Sequence, residues 1–272
     1  FGEQIVQLGE WKIKTVPSVS YGTNGFFILK DGNSVTDQSG QGNNLTVSGT
    51  LTKTEDCPSN VFATWNPLEY HSTSTTFLDG NTSCNENTGT GWTTTGSTLG
   101  AVSGKYYAEF KYKNGNFCAF GVGRYPFTNS GHTQLIGEVT GSVGYRANGT
   151  VNIAGQSSQT FNTYTTGDII GVALDLDNGN VYFSKNGTWE NSGDPTSGST
   201  GTGAINLPNY ISTEHYFFVA CPRNGEINAN FGNGYLETTA ISSEGTNASG
   251  IGKFEYDVPT GYTALSTKGL NE

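Results

Sequence analysis

Alternation of apolar and polar residues at period two is clearest over residues 167–189, GDIIGVALDLDNGNVYFSKNGTW. Ile170, Val172, Leu174 and Leu176 fall on one face of an extended segment, which predicts a β-strand. Val181-Tyr182-Phe183-Ser184, rich in β-branched and aromatic residues, predicts the returning strand. Between them Asp177-Asn178-Gly179-Asn180 supplies a tight turn, because Asn and Gly accept positive φ at little cost. A second hairpin is predicted from Ser142–Arg146 to Thr150–Ile153 across Ala147-Asn148-Gly149. SGKYYAEF (residues 103–110), NFCAFGV (116–122) and FFVACPR (217–223) read as further strands, and no helical periodicity runs longer than two turns. An apolar hairpin face needs a second sheet to bury it. The predicted fold is therefore all-β, an antiparallel two-sheet sandwich.

The ends of the chain read differently. Residues 1–56 form an extended N-terminal arm, with alternating segments at 4–8 and 11–14, an apolar run Phe26-Phe27-Ile28-Leu29, and short strands at 45–47 and 50–52. Residues 57–236 are assigned to the sandwich. Residues 237–272 are a loop and strand segment expected to pack back on the sandwich or on a neighbour. Tyr262, Ala264 and Leu265 would be exposed if that segment were left alone, as would the Phe26 run, and exposed strand edges invite pairing with another subunit. The Ser/Gly/Thr-rich stretch 190–203 is expected to be a mobile loop of the kind that often carries function.

Composition narrows the picture. Only 13% of the 272 residues are charged and 39 are Gly, which suits a turn-rich β protein of extracellular or virion type, while 12% aromatics argue against disorder. The net charge is −10, and thirteen scattered Lys and Arg make no basic stripe, so a nucleic-acid partner is not expected. No apolar run approaches a membrane span, and no signal-peptide pattern opens the chain. The lack of Met and the start at Phe1 are expected of a processed product or of part of a longer chain.

Chemistry is sparse. No motif asks for a metal or a cofactor. Cys57, Cys84, Cys118 and Cys221 lack zinc spacing; Cys118 and Cys221 lie in strands as buried thiols, and Cys57 and Cys84 sit near turns where pairing is open. His71, His132 and His215 form no HExxH pattern, and there is no GxSxG elbow. Asp175 and Asp177 are paired carboxylates of the kind glycosidases use, but their place at a strand end favours a role in the turn. The loop DQSGQGNN (37–44) offers hard oxygens to a cation; a turn closed by Asx hydrogen bonds is the favoured reading. The better candidates are loop aromatics beside Asn and Ser, which combine apolar contact with directed hydrogen bonds. Trp92, Tyr125, Phe127, Tyr145, Arg146 and Trp189 are the candidate ligand-binding residues.

Three blocks carry a family resemblance. SGKYYAEF, residues 167–189, and Phe217-Phe218-Val219-Ala220 with Asn230-Phe231-Gly232 keep the order of the GKYYWEV, GDVIGVALDLDNGTIYFYKNG and NFG motifs of SPRY domains, the sandwich also found in B30.2 modules. The 37–44 loop resembles the opening of concanavalin A-like jelly rolls. The whole order, closing on PTGYTALSTKGL (259–270), is similar to a group of tailed-phage proteins. The resemblance implies a SPRY-like, concanavalin A-like sandwich that binds through its loops, in a virion. The expected function is a non-enzymatic phage structural protein of tail-fibre or adhesin type that recognises a host-surface glycan or protein. Other virion proteins and further copies of the chain are its expected partners. A capsid-surface decoration protein with an architectural role and a glycan-degrading enzyme on the same scaffold are the alternatives.

Overall fold

A computed structural model describes residues 2–5, 10–13, 18–28, 35–49, 55–57, 60–68, 75–89, 91–125 and 135–271. Its strands in chain order are β1 (Gly2–Ile5), β2 (Glu10–Ile13), β3 (Thr75–Leu78), β4 (Ser83–Glu86), β5 (Thr95–Gly96), β6 (Lys105–Arg124), β7 (Ser142–Arg146), β8 (Thr150–Ile153) and β9 (Gln159–Thr160). They continue with β10 (Ile169–Asp175), β11 (Asn180–Lys185), β12 (Thr188–Trp189), β13 (Ile205–Asn206), β14 (Tyr216–Asn230), β15 (Tyr235–Leu236), β16 (Thr239–Ala240) and β17 (Thr263–Ala264). The helical residues among those described are short 3-10 turns.

Two long strands organise the sandwich. β6 and β14 pair antiparallel from Glu109↔Asn230 to Arg124↔Tyr216, and both pass through both layers. In the first layer the order is β12-β11-β10-β6-β14-β4-β3. In the second, the far half of β6 pairs with β7, then β8 and β9 follow, while the near half of β14 takes β5. Phe110 and Phe120 show how sharply β6 turns. Ten residues of straight strand would separate them by about 33 Å, yet their rings stack with centroids 5.4 Å apart. The turn has local causes. Lys113 is an extra residue at a bulge opposite Glu226 and Ile227, which bends and twists the strand. Beyond it Gly115 faces Gly225 so closely that a Cβ on Gly115 would lie 2.5 Å from the Gly225 Cα, so only glycine fits there.

The core between the layers is aromatic. Trp65 lies on Phe110 and edge-on to Phe231, at centroid distances of 5.4 and 5.2 Å. Tyr145 from the second layer meets Phe183 from the first at 5.6 Å. The two hairpins expected from the sequence are present as β10–β11 and β7–β8. β10 departs from the expected one-sided pattern: all seven residues are buried. Its second face is covered by the end of the chain. Phe254 packs edge-on against Tyr107 at 5.1 Å, and β17 runs parallel to the start of β6. Tyr262, Ala264 and Leu265 are therefore buried in this chain's own core, and the expectation that they need another subunit is corrected.

Two further expectations change, and one open point closes. Residues 190–203 are tied down rather than loose: Glu190 is buried, Asp194 caps the turn at Thr196, and the Tyr262 hydroxyl donates to the Pro195 carbonyl at 3.1 Å. The abundant Ser, Thr and Asp side chains bond to nearby backbone, an order that composition does not reveal. Residues 45–47 form no paired strand, and 50–52 lie outside the described residues, as does Leu29. Cys57 and Cys84 are free thiols, so the open pairing is not made. Cys84, Cys118 and Cys221 are buried, and burial pushes the Cys221 thiol up to about 12.

Candidate ligand-binding face

Alternation along β6, β7 and β14 sends Phe120, Tyr145 and Phe218 inward, all fully buried, and Phe117, Arg146 and Arg223 outward. Register brings the outward set together. Phe117 opposes Arg223, and Ala119 opposes both Cys221 and Arg146. Trp92, from the loop between β4 and β5, lies across them. The guanidinium carbons of Arg146 and Arg223 are 5.4 and 5.8 Å from the Trp92 ring centroid, and Arg223 is also 5.7 Å from that of Phe117. Trp92 and Phe117 meet edge-on at 6.2 Å.

The loop that delivers Trp92 is held by Glu86 at the end of β4. Its carboxylate accepts from the backbone N–H of Thr88, Gly89 and Asn224, at 2.8, 3.1 and 2.7 Å, and from the Thr88 hydroxyl. Burial pushes its pKa up, but these donors outweigh it and pull the group down to about 2. Gly89 takes φ +63°, and a Cβ there would meet Asn224 at 3.1 Å. Arg223 Nε donates to the Gly89 carbonyl at 3.2 Å, which fixes the guanidinium against the loop. Lower on the same outer face Leu135 and Ile136 cover Ala119, Val219 and Cys221.

The chain has three arginines, and two of them converge on this one ring. Lys105, Lys113, Arg124, Lys185 and Lys253 each pair with a carboxylate. Among the described residues neither Arg146 nor Arg223 has a carboxylate at ion-pair distance. Two planar forks and an aromatic edge in one patch, with Phe117 43% exposed, have the composition of a binding surface.

Of the residues singled out from the sequence, Trp92 and Arg146 are brought together here. Tyr145 is corrected: it is 0% exposed, with its hydroxyl donating to the Asn162 carbonyl and facing Glu190. Alternation put it opposite to its neighbour Arg146. Trp189 stands on the other layer, edge-on to Tyr107 at 6.4 Å. Tyr125 is 62% exposed at the far end of β6, eight residues or about 26 Å of strand from Phe117. Phe127 lies outside the described residues, as do His71 and His132. Phe117 and Arg223 were missed. Their signal was the period-two alternation of NFCAFGV and FFVACPR, but their meeting depends on register.

Residues 105–205 match the SPRY domain model. The match spans β6 to β12, with Phe117 and Arg146 of the face, and ends at the first residue of β13. Among solved structures, the SPRY domain of human HERC1 is similar at 17% identity and a TM-score of 0.46, covering 61% of this chain and 96% of that one. A human SPRY domain is similar at 16% identity and a TM-score of 0.41, covering 59% and 95%. A search of curated proteins returns no match. SPRY domains are in general modules for protein–protein interaction rather than catalysts.

The other candidate chemistries are occupied by structure. Asp175 Oδ1 accepts from the backbone N–H of Asp177 and Asn178, and Oδ2 takes the Asn178 amide and Lys105 Nζ at 2.9 Å. Asp177 accepts from the Gly104 N–H. Asp175 thus serves the turn, and Asp177 ties the turn to the loop before β6. Asp37 accepts from the N–H of Phe27, Ser39 and Asn43 and from the Ser39 hydroxyl, so its oxygens close an Asx-type loop and are filled by donors. No cluster of three or more His, Cys, Asp or Glu with metal-ligand geometry occurs among the described residues.

Proposed function

We propose that this chain is a non-enzymatic interaction module that captures a partner on the Trp92–Phe117–Arg146–Arg223 face. The observation that carries the reading is the convergence of two of three arginines on one half-buried tryptophan. Such anchors supply most of the energy of an interface, because a preordered ring and a planar fork lose little entropy on binding. The motif order, which is similar to that of tailed-phage proteins over nearly the whole chain, supports display on a virion as a tail-fibre or adhesin type of structural protein. Attachment to host-surface protein or glycan is then the role of the face.

The test is particle attachment. Phage carrying Trp92→Ala with Phe117→Ala should assemble normally and lose attachment, the single change at Trp92 weakening binding by about 1–3 kcal/mol. Attachment and assembly both unchanged would leave the architectural, decoration-type role as the better reading. A map of the intact particle would show whether the chain is on the virion at all.

A further inference from the structure

We infer that the partner of this face is an acidic peptide segment, recognised through its carboxylates by Arg146 and Arg223. The inference rests on the binding-face reading above and adds the chemistry of the occupant. A guanidinium offers paired N–H donors in a plane that matches a carboxylate, so two side by side suit closely spaced Asp or Glu side chains. Among the described residues the pairing has not been satisfied internally. Acidic residues outnumber basic ones 23 to 13, and five other cations have found carboxylates, whereas these two, like Lys111 and Lys268, have none among the described residues at ion-pair distance. The buried carboxylate of Glu86, at the base of the Trp92 loop, is spent on three backbone N–H groups, including that of Asn224 beside Arg223.

Both forks are already positioned. Arg223 is held by Gly89 through Nε, its terminal nitrogens have no partner among the described residues, and both guanidiniums rest on Trp92. The same stacking argues against a sugar: the ring that would carry a saccharide already carries cations. Exposed Phe117 at the edge of the patch gives an apolar contact for a neighbouring side chain of the peptide. The net charge of −10 disfavours non-specific landing of an acidic partner, so binding has to come from local groups such as these two arginines.

The probe is fluorescein-labelled oligo-glutamate titrated with the full chain at low salt, with oligo-glutamine of equal length and a sulfated oligosaccharide as companions. Oligo-glutamate should bind roughly tenfold or more tighter than oligo-glutamine, and Arg146→Gln with Arg223→Gln should remove the difference. Binding should also weaken as salt is raised, a readout that holds even if the double variant folds poorly. Equal binding of the two peptides, insensitivity to salt, or retained binding in the folded double variant would overturn the inference. So would binding of the sulfated oligosaccharide alone, which would make the ligand an anionic glycan. If oligo-glutamate fails while Trp92→Ala with Phe117→Ala still abolishes attachment, the acidic partner is wrong and the binding face stands. If oligo-glutamate binds through both arginines and attachment ignores the aromatic pair, acid recognition stands and the proposed role falls.

Discussion

The two layers of this sandwich have outer faces of opposite character. The first layer's outer face is closed by the chain itself. Glu109, 0% exposed, accepts from the backbone N–H of Glu255 and Tyr256, both at 2.8 Å, from the Asn230 amide and from the Tyr107 hydroxyl. Phe254 covers Tyr107, and Asn230 also donates to the Lys253 carbonyl. Among the described residues the second layer's outer face is covered by Leu135, Ile136 and Trp92, and there the arginines and Phe117 remain partly accessible. A polar group on the closed face has every bond directed at the same chain. On the open face the guanidinium forks point at no carboxylate among the described residues. The comparison separates a surface spent on stability from one left for a partner.

That contrast is most easily broken at the closed face. Phe254→Ala removes a fully buried ring and should cost about 3–5 kcal/mol in denaturant unfolding. A loss below 1 kcal/mol would mean that the C-terminal segment does not seal the first layer.

Next in size is the pH response of Glu109. Burial raises its pKa to about 7, against the usual 4.5, and the four donors only partly offset that. Between those values the folded chain holds a proton that the unfolded chain has released. The stability owed to this group is therefore full below pH 4.5 and lost as pH rises through 7, on the order of 3 kcal/mol. Unfolding midpoints followed across that range should show the slope, and Glu109→Gln should flatten it whatever its effect on the level. An unchanged slope in the variant would assign the effect elsewhere.

At the open face the expected stability effects are small. Arg146→Gln and Arg223→Gln should each cost about 1 kcal/mol of stability, for a lost cation–π contact on Trp92 and, at Arg223, the bond to the Gly89 carbonyl, while removing acidic-peptide binding. A large destabilisation would make them structural, like Glu109. Smallest of all, Tyr125→Ala should leave both unfolding and attachment unchanged, since it lies at the far end of β6 from the patch. Loss of attachment in that variant would extend the face along the whole strand.

Much of the local structure was legible along the chain. The β10–β11 hairpin needed only a period-two pattern and an Asn-Gly turn, both set by neighbours in sequence. Two members of the face, Trp92 and Arg146, were found as loop aromatics and their companions. Tyr145 shows the limit of that reading: next to Arg146, it points the other way, and a single step of strand alternation separates a core ring from a surface cation. Composition misread residues 190–203 for a related reason, because a Ser hydroxyl that caps a backbone group looks the same in sequence as one in solvent.

The sequence by itself determined that this chain is a sandwich of antiparallel strands, because alternation, turn residues and three ordered motifs are properties of neighbours. Tertiary structure alone decided which outer face is used up and which is open. The bulge at Lys113 and the Gly115–Gly225 contact fold β6 and β14 through both layers, and that register sets Phe117 against Arg223 and Arg146 beside them. The C-terminal segment reaches Glu109 across 146 residues of chain and closes the opposite side. Neither pairing leaves a mark at short range, since contacts between distant strands are fixed by the sum of the packing and not by any one stretch of sequence.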